Sequence, residues 1–327
     1  MRPTEKILLV LIGRLGDLLV TTPFITALKN QRPELEIHLL VREYVRDLAE
    51  LLPGVDRVFT LPSITRPAEA LDFLGAYMGE TYEAVVDLNS AYSRTSGLLC
   101  RFAPAKRKVT FEKPKWKMFY TETVPAPELK EHMTSRYVRL AEHFGAKAEP
   151  KMSIAPRPEH AAEAERVIKG LSLREGAFRL AIHPGNFKKF DHRWPEEKFI
   201  GLTRRIHEDS PETEIIYLVG PGEEGFIAPM LREVPFVKPA GPMGIGVTAE
   251  FLRRMDAFLV SATGTMHLAA ALEVPMASLQ SGYCGHVWKP VQGVNEVVVS
   301  PDWDSLRGIS ADEFFAAYKR LRARIGK

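Results

Sequence analysis

The stretch KILLVLIGRLGDLLVTTPF, residues 6–24, decides the fold. Its first half is a continuous apolar run closing at Gly13, which is the pattern of a strand buried on both faces. Such strands belong to parallel sheets covered by helices. The segment Gly13-Arg14-Leu15-Gly16-Asp17 then reads as a tight loop, because glycines let the backbone turn and approach a ligand. Thr22-Pro23 reads as a helix N-cap followed by proline in the first turn.

The same alternation extends outward. Residues 35–41, 57–61, 84–88 and 108–111 read as further strands, with helical patterns over 24–30, 44–52, 68–78 and 94–102. After the Pro-rich segment EPKMSIAPRP, residues 149–158, the pattern restarts. Strands are expected at 180–183, 215–219, 257–260 and 276–279, and helices at 196–207, 226–232 and 266–272. The chain is therefore expected to be α/β, with two Rossmann-like domains built on parallel sheets, residues 1–155 and 156–327, and a ligand cleft between them. Ligands of such sheets bind beyond the C-terminal strand ends. Near the end, Ser310 and Glu313 have the spacing of a capping box. In this architecture the helix they start is expected to pack back on the first domain.

Composition agrees. At 327 residues two domains are natural, and 45% hydrophobic with 26% charged residues is ordinary for a globular chain. Cys100 and Cys284 form no disulfide framework and no zinc cluster. The run at 7–13 is too short for a spanning helix, and Arg14 and Asp17 follow at once. A cytoplasmic protein is expected. A net charge of +3 suits anionic ligands but does not argue for nucleic acid.

Several strand-end loops can carry chemistry. Asp17 would face the cleft as a base for a hydroxyl, or complement a helix N-terminus. The loop is not GxGxxG, which weakens a dinucleotide reading. His183-Pro184-Gly185-Asn186 leads to Lys188, Lys189, His192, Arg193 and Trp194. These cations can neutralise a departing diphosphate, or form a solvated loop with Trp194 as a packing anchor. Glu223, after Gly220-Pro221-Gly222, would accept from ribose hydroxyls or start a helix. Ser261-Ala262-Thr263-Gly264-Thr265, ahead of a helix carrying His267, suits a phosphate at a helix N-terminus. Asp302-Trp303-Asp304 resembles a metal-holding DxD string but lies where a turn is expected. Lys106, Arg107, Lys108, Lys113, Lys115 and Lys117 interleave with Phe111, Trp116, Phe119 and Tyr120. That segment reads as a surface for anionic lipid or as a charged loop.

Taken together, KILLVLIGRLGDLLVTTPFITALK, VVDLNSAYSRTSGLL, AIHPG with HRWPEEKF, LVGPGEE and TGTMHLAAALEVP resemble the heptosyltransferases of glycosyltransferase family 9. Their order and spacing are the family's, across nearly the whole chain. The resemblance implies two Rossmann-like domains in the GT-B arrangement. It also implies an inverting, metal-independent transfer of heptose from ADP-heptose to a lipopolysaccharide inner-core acceptor, with no cofactor. Asp17 matches the catalytic base, with Gly13 and Gly16 in its loop. Asn186, Glu223, Met243, Thr263, Gly264 and His267 match the nucleotide-sugar pocket, beside Lys188, His192, Arg193 and Thr265. The implied partners are a nucleotide sugar and a lipid-linked oligosaccharide, with peripheral contact at the inner membrane. Two positions depart from the family: Ala262 stands where Asp is common, and His192 where Lys is common. The alternatives are a transferase of the same fold with another nucleotide sugar, a nucleotide-sugar epimerase, or a catalytically silent binding protein.

Overall fold

The computed structural model describes residues 5–62, 67–185 and 193–326. Two compact units divide the chain, Met1–Ala155 and Pro156–Lys327. Asn186, Lys188, Lys189 and His192 lie outside the described residues.

The first unit holds a six-stranded parallel sheet. Its strands are β1 (Lys6–Val10), β2 (Glu36–Arg42), β3 (Arg57–Leu61), β4 (Tyr82–Asp87), β5 (Ala105–Phe111) and β6 (Glu122–Val124), in the order β3-β2-β1-β4-β5-β6. β1 lies between β2 and β4, with Leu9 opposite Leu39 on one side and Val86 on the other. The chain leaves β1 in one direction and returns at β4 to build in the other. That reversal opens a crevice at the strand ends, where such sheets bind ligands. Helices α1 (Leu15–Leu19), α2 (Thr22–Gln31), α3 (Arg46–Ala49), α4 (Pro67–Met78), α5 (Arg94–Phe102) and α6 (Met133–His143) connect and cover the strands. One face packs Leu8, Val10, Val85, Tyr77, Cys100 and Phe119 together.

The second unit repeats the plan. Its strands are β7 (Arg179–His183), β8 (Glu214–Leu218), β9 (Lys238–Ala240), β10 (Ala257–Ser261), β11 (Met276–Gln280) and β12 (Asn295–Val299), in the order β12-β11-β10-β7-β8-β9, all parallel. Here the reversal falls between β7 and β10. The helices are α7 (Pro158–Gly170), α8 (Glu196–Asp209), α9 (Glu224–Glu233), α10 (Ile245–Arg253), α11 (Gly264–Ala271), α12 (Gly282–Val287) and α13 (Ala311–Ile325). Trp194 is fully buried, with its edge to Phe199 and Phe314, and its indole N–H donates to the Ile309 carbonyl at 3.0 Å. It is a packing anchor. Truncating such a residue costs about 3–5 kcal/mol.

The capping box at Ser310 forms as the spacing predicts: Glu313 N–H donates to Ser310 Oγ at 3.2 Å, and Ser310 N–H donates to Glu313 Oε2 at 2.7 Å. The buried stripe of α13, including Phe314, Tyr318 and Leu321, lies in the second unit's own core. Two local readings need correction. Residues 15–19 form a helix rather than a loop. The N-cap of α2 is Thr21, with Pro23 in the first turn. The segment before the unit boundary is also anchored to the first unit. Ser153 N–H donates to Thr22 Oγ1 at 3.0 Å and Ala155 N–H to the Leu51 carbonyl at 2.9 Å.

Candidate active site

In the first unit the loop after β1 places Gly13 just before the α1 N-terminus. Asp17 sits in the first turn of α1, and its Oδ2 accepts from the Arg14 N–H at 2.7 Å. The end of a helix that favours negative charge therefore holds the carboxylate. A β-carbon on Gly13 would lie 2.8 Å from Asp17 Cβ and 3.0 Å from Oδ2, so only glycine leaves room for this rotamer. Tyr44 donates to the Gly13 carbonyl at 2.7 Å and fixes the loop from outside. Burial, and next to it the Asp17 charge, pushes the Tyr137 phenol above its ordinary range. The Tyr44 phenol is raised as well, first by burial and then with Asp17 opposing nearby arginines.

Beneath this loop the end of β4 carries a buried carboxylate, Asp87. It accepts from Asn89 N–H at 3.0 Å, Asn89 Nδ2 at 2.7 Å, Ser96 Oγ at 2.9 Å, Lys113 Nζ at 2.8 Å and the Tyr120 hydroxyl. Asn89 Oδ1 in turn accepts from Ile12 N–H at 3.2 Å, and Asn89 Nδ2 donates to the Val10 carbonyl at 3.3 Å. The two strand ends that flank the reversal are thus tied together. Lys113 and Tyr120, read from sequence as part of a surface segment, belong to this interior network. Breaking a buried ion pair by removing one partner costs about 3–5 kcal/mol, which suits a rigid platform under Asp17.

Arg136 lies near the same edge and is 8% exposed. It donates to Ser90 Oγ at 3.2 Å and to the Glu131 carbonyl at 3.1 Å. Among the described residues its Nε has no hydrogen-bond partner and no carboxylate lies within ion-pair distance. Sequence reading gave Arg136 no role, since an arginine in a helix pattern carries no signal of its burial.

In the second unit one hydrogen-bonded chain crosses the β7/β10 reversal. Glu223 Oε2 accepts from Gly220 N–H at 2.8 Å and lies 2.9 Å from His183 Nε2. His183 Nδ1 lies 2.9 Å from Thr265 Oγ1, and Thr265 Oγ1 lies 2.8 Å from Thr263 Oγ1. Glu223 rests over two glycines: a β-carbon would approach its carboxylate within 2.2 Å from Gly185 and 2.8 Å from Gly220. Burial pushes the Glu223 pKa up, but His183, the Gly220 amide and Arg193 together outweigh burial and leave it below the ordinary carboxylate value.

A carboxylate only accepts, so His183 Nε2 carries the hydrogen. His183 Nδ1 and the Thr263 and Thr265 hydroxyls can each donate or accept along the rest of the chain. The backbone amides that open α11 are further donors, and Thr263, the N-cap, makes no side-chain capping bond. Amides in that first turn have no intrahelical acceptor, and the helix end favours negative charge. Both bonds of Glu223 fall on Oε2, which leaves Oε1 without a hydrogen-bond partner among the described residues.

Arg193 stacks over Phe226 at 4.4 Å and is one of the charges acting on Glu223. Met243 is half-buried between β9 and α10, where its carbonyl faces Thr248 Oγ1 at 3.5 Å. His267 is buried on α11 with its ring edge-on to Trp288 at 5.5 Å. Ala262 donates its N–H to the Leu279 carbonyl at 3.0 Å and offers no side-chain acceptor. Asp302 and Trp303 accept through their carbonyls from Gly282 and Tyr283 N–H at 2.9 and 3.0 Å, so the DxD string is pinned to the start of α12. Among the described residues, no group of three or more His, Cys, Asp or Glu is disposed to hold a metal ion. No described helix is long and apolar enough to cross a membrane.

Comparison with known proteins finds relatives both in sequence and in structure. The family model described as glycosyltransferase family 9 (heptosyltransferase) matches residues 74–305. Lipopolysaccharide heptosyltransferase 1 of Campylobacter coli is 22% identical over 289 residues, covering 84% of this chain and 83% of that protein. A glycosyl transferase family 9 structure from Veillonella parvula superposes with a TM-score of 0.84 at 17% identity, covering 98% of this chain and 97% of that one. The E. coli heptosyltransferase WaaC, solved with ADP-2-deoxy-2-fluoro heptose, gives 0.73 at 21% identity, over 97% and 99%. At these identities the structural likenesses establish the fold.

Proposed function

Since the chain belongs to glycosyltransferase family 9 and is a glycosyltransferase, we propose that it transfers heptose from ADP-heptose to an inner-core sugar of lipopolysaccharide, with inversion and without a metal ion. The observation that carries the donor half is the bonded chain from Gly220 through Glu223, His183 and Thr265 to Thr263. It aligns one carboxylate oxygen for a ribose hydroxyl and the α11 amides for a diphosphate. The named donor is drawn from the likeness to WaaC, solved with an ADP-heptose analogue.

In this reading Asp17 takes the proton from the acceptor hydroxyl. The resulting oxygen attacks the anomeric carbon from the face opposite the diphosphate. The carbon–oxygen bond to the diphosphate breaks, and ADP leaves with the electron pair. Charge developing on ADP is met by the α11 N-terminus, Arg193 and the cations of residues 186–192. Arg136, a buried cation with no carboxylate within ion-pair distance among the described residues, supplies a fixed positive charge for an acidic group of the acceptor. The protein works on the cytoplasmic side, where nucleotide sugars are made available.

A second reading keeps the fold and reaction but changes the donor, and Ala262 favours it, because a methyl group replaces the carboxylate common in the family. Calorimetry with ADP-, GDP- and UDP-sugars, with and without magnesium, separates the two. Magnesium-independent binding of ADP-heptose above the others supports the first. Preference for a GDP- or UDP-sugar establishes the second. Turnover of a nucleotide sugar with no acceptor present would contradict both and favour an epimerase.

A further inference from the structure

We infer that Asn89 is a positioning residue for Asp17: its side chain fixes the exit of the chain from β1 and so sets where the Asp17 carboxylate stands. Its role rests on the reading of Asp17 as the base of the transfer.

The paired ladder between β1 and β4 ends with Val10 opposite Asp87. The next backbone bond runs from Leu88 N–H to the Val10 carbonyl at 3.0 Å. Past that point the Asn89 side chain takes the place of a strand. Its Oδ1 accepts from Ile12 N–H at 3.2 Å, and its Nδ2 donates to the Val10 carbonyl at 3.3 Å. One amide thus meets a donor and an acceptor of the outgoing backbone, as a neighbouring peptide group would. Two further bonds hold the residues that follow. Tyr44 donates to the Gly13 carbonyl at 2.7 Å, and Arg14 N–H donates to Asp17 Oδ2 at 2.7 Å. Both of these are exposed, whereas the Ile12 bond is partly buried. Water competes less for the shielded bond, so Asn89 is the firmest of the three holds.

The amide can face only one way. Asp87 Oδ1 accepts from Asn89 Nδ2 at 2.7 Å and from Asn89 N–H at 3.0 Å. A carboxylate only accepts, so the amide nitrogen faces Asp87 and the amide oxygen faces Ile12. Asp87 is held in turn, because its Oδ2 accepts from Ser96 Oγ, Lys113 Nζ and the Tyr120 hydroxyl. Lys113 also donates to the Asn89 carbonyl at 2.7 Å. The buried charges therefore reach Asp17 through one amide. Misplacing a reacting group by about 1 Å costs on the order of 10²-fold in rate, which gives this hold a catalytic consequence.

Three variants test the role. Asn89→Ala removes both bonds to β1. Asn89→Asp keeps the acceptor for Ile12 but, when ionised, sets an oxygen against Asp87 and the Val10 carbonyl. Tyr77→Phe is the control, since it removes a bond elsewhere in the same unit, from the Tyr77 hydroxyl to the Leu99 carbonyl at 2.6 Å. The measurements are kcat for acceptor-dependent ADP release, donor affinity by calorimetry, and amide hydrogen exchange over residues 10–17. For Asn89→Ala we expect kcat lower by about 10- to 100-fold, unchanged donor affinity, and faster exchange at Ile12 and Arg14. Asn89→Asp should lose kcat at alkaline pH and regain it, relative to wild type, as pH falls. A carboxyl placed beside Asp87 takes up a proton readily and recovers a donor. Tyr77→Phe should melt earlier with kcat and these amides as in wild type. A merely structural Asn89 would give that same pattern.

Wild-type kcat in Asn89→Ala, or unchanged exchange at Ile12, overturns the inference. So does an equal loss of kcat in Tyr77→Phe. Where Asn89→Ala fails to fold, wild-type kcat of Asn89→Asp at alkaline pH overturns it. Absence of ADP release by the wild type contradicts the transferase reading instead, and exchange at Ile12 then decides whether Asn89 holds the loop.

Discussion

Glu223 occupies the space above Gly185 so closely that a β-carbon there would lie 2.2 Å from its Oε1. The glycine therefore sets where the carboxylate stands. In Gly185→Ala the far end of the Glu223 side chain must move, and the move breaks the bonds to His183 and the Gly220 amide. We expect stability lower by about 1–3 kcal/mol, from two hydrogen bonds of about 0.5–1.5 kcal/mol each, and donor affinity lower by about ten- to a hundredfold as the ribose acceptor loses its alignment. Calorimetry beside a melting curve checks both. Unchanged affinity would remove Glu223 from the donor site.

The two threonine hydroxyls make a sharper prediction. If α11 amides bind the diphosphate and the Thr263 hydroxyl is spent on Thr265, Thr263→Val should leave donor affinity within about threefold. Thr265→Val removes the partner of His183 Nδ1 and should weaken donor binding about tenfold through Glu223. Equal losses in both variants would mean that the hydroxyls touch the phosphates directly.

The Glu223 carboxyl has a folded pKa below its ordinary 4.5. Burial raises it, and His183, the Gly220 amide and Arg193 outweigh burial. A depressed folded value means the ionised group stabilises the fold fully above the unfolded pKa, and that stability is lost as pH falls through the folded one. The stability difference between wild type and Glu223→Gln should be constant near neutrality and shrink on acidification below 4.5. Urea unfolding across that range reads it. A difference that grows as pH falls would reverse the sign.

Much of this architecture is legible in the sequence because parallel strands are buried on both faces. Apolar runs such as residues 57–61 and 276–279 give their strands almost to the residue. The three-residue strands β6 and β9 are too short to show a period, and they escaped. Glycine misled the reading twice. Gly16 and Gly264 resemble loop residues, yet both sit in the first turns of helices. That is how Asp17 came to be placed in a loop, although its alternative role, complementing a helix N-terminus, was recognised. Glu223 and Thr263 stand out in the sequence from strand-end position alone. His183, which the structure bonds to Glu223 and, through Thr265, to Thr263, is named there only as the start of its loop. Its signal was a polar residue ending a buried apolar strand directly before Pro184-Gly185, and Asp87 before Asn89 carries the same signal. Arg136 had none, because burial of a charge comes from tertiary packing.

Asp17 as the base of an acceptor-dependent transfer from ADP-heptose joins both halves of the proposed reaction. The most direct measurement is the rate of ADP release from ADP-heptose with and without a lipopolysaccharide core acceptor, for wild type and Asp17→Asn. Acceptor-dependent release by wild type is expected, with a loss of about 10²–10⁴-fold in kcat for Asp17→Asn and donor affinity unchanged. Release by Asp17→Asn at the wild-type rate would contradict it.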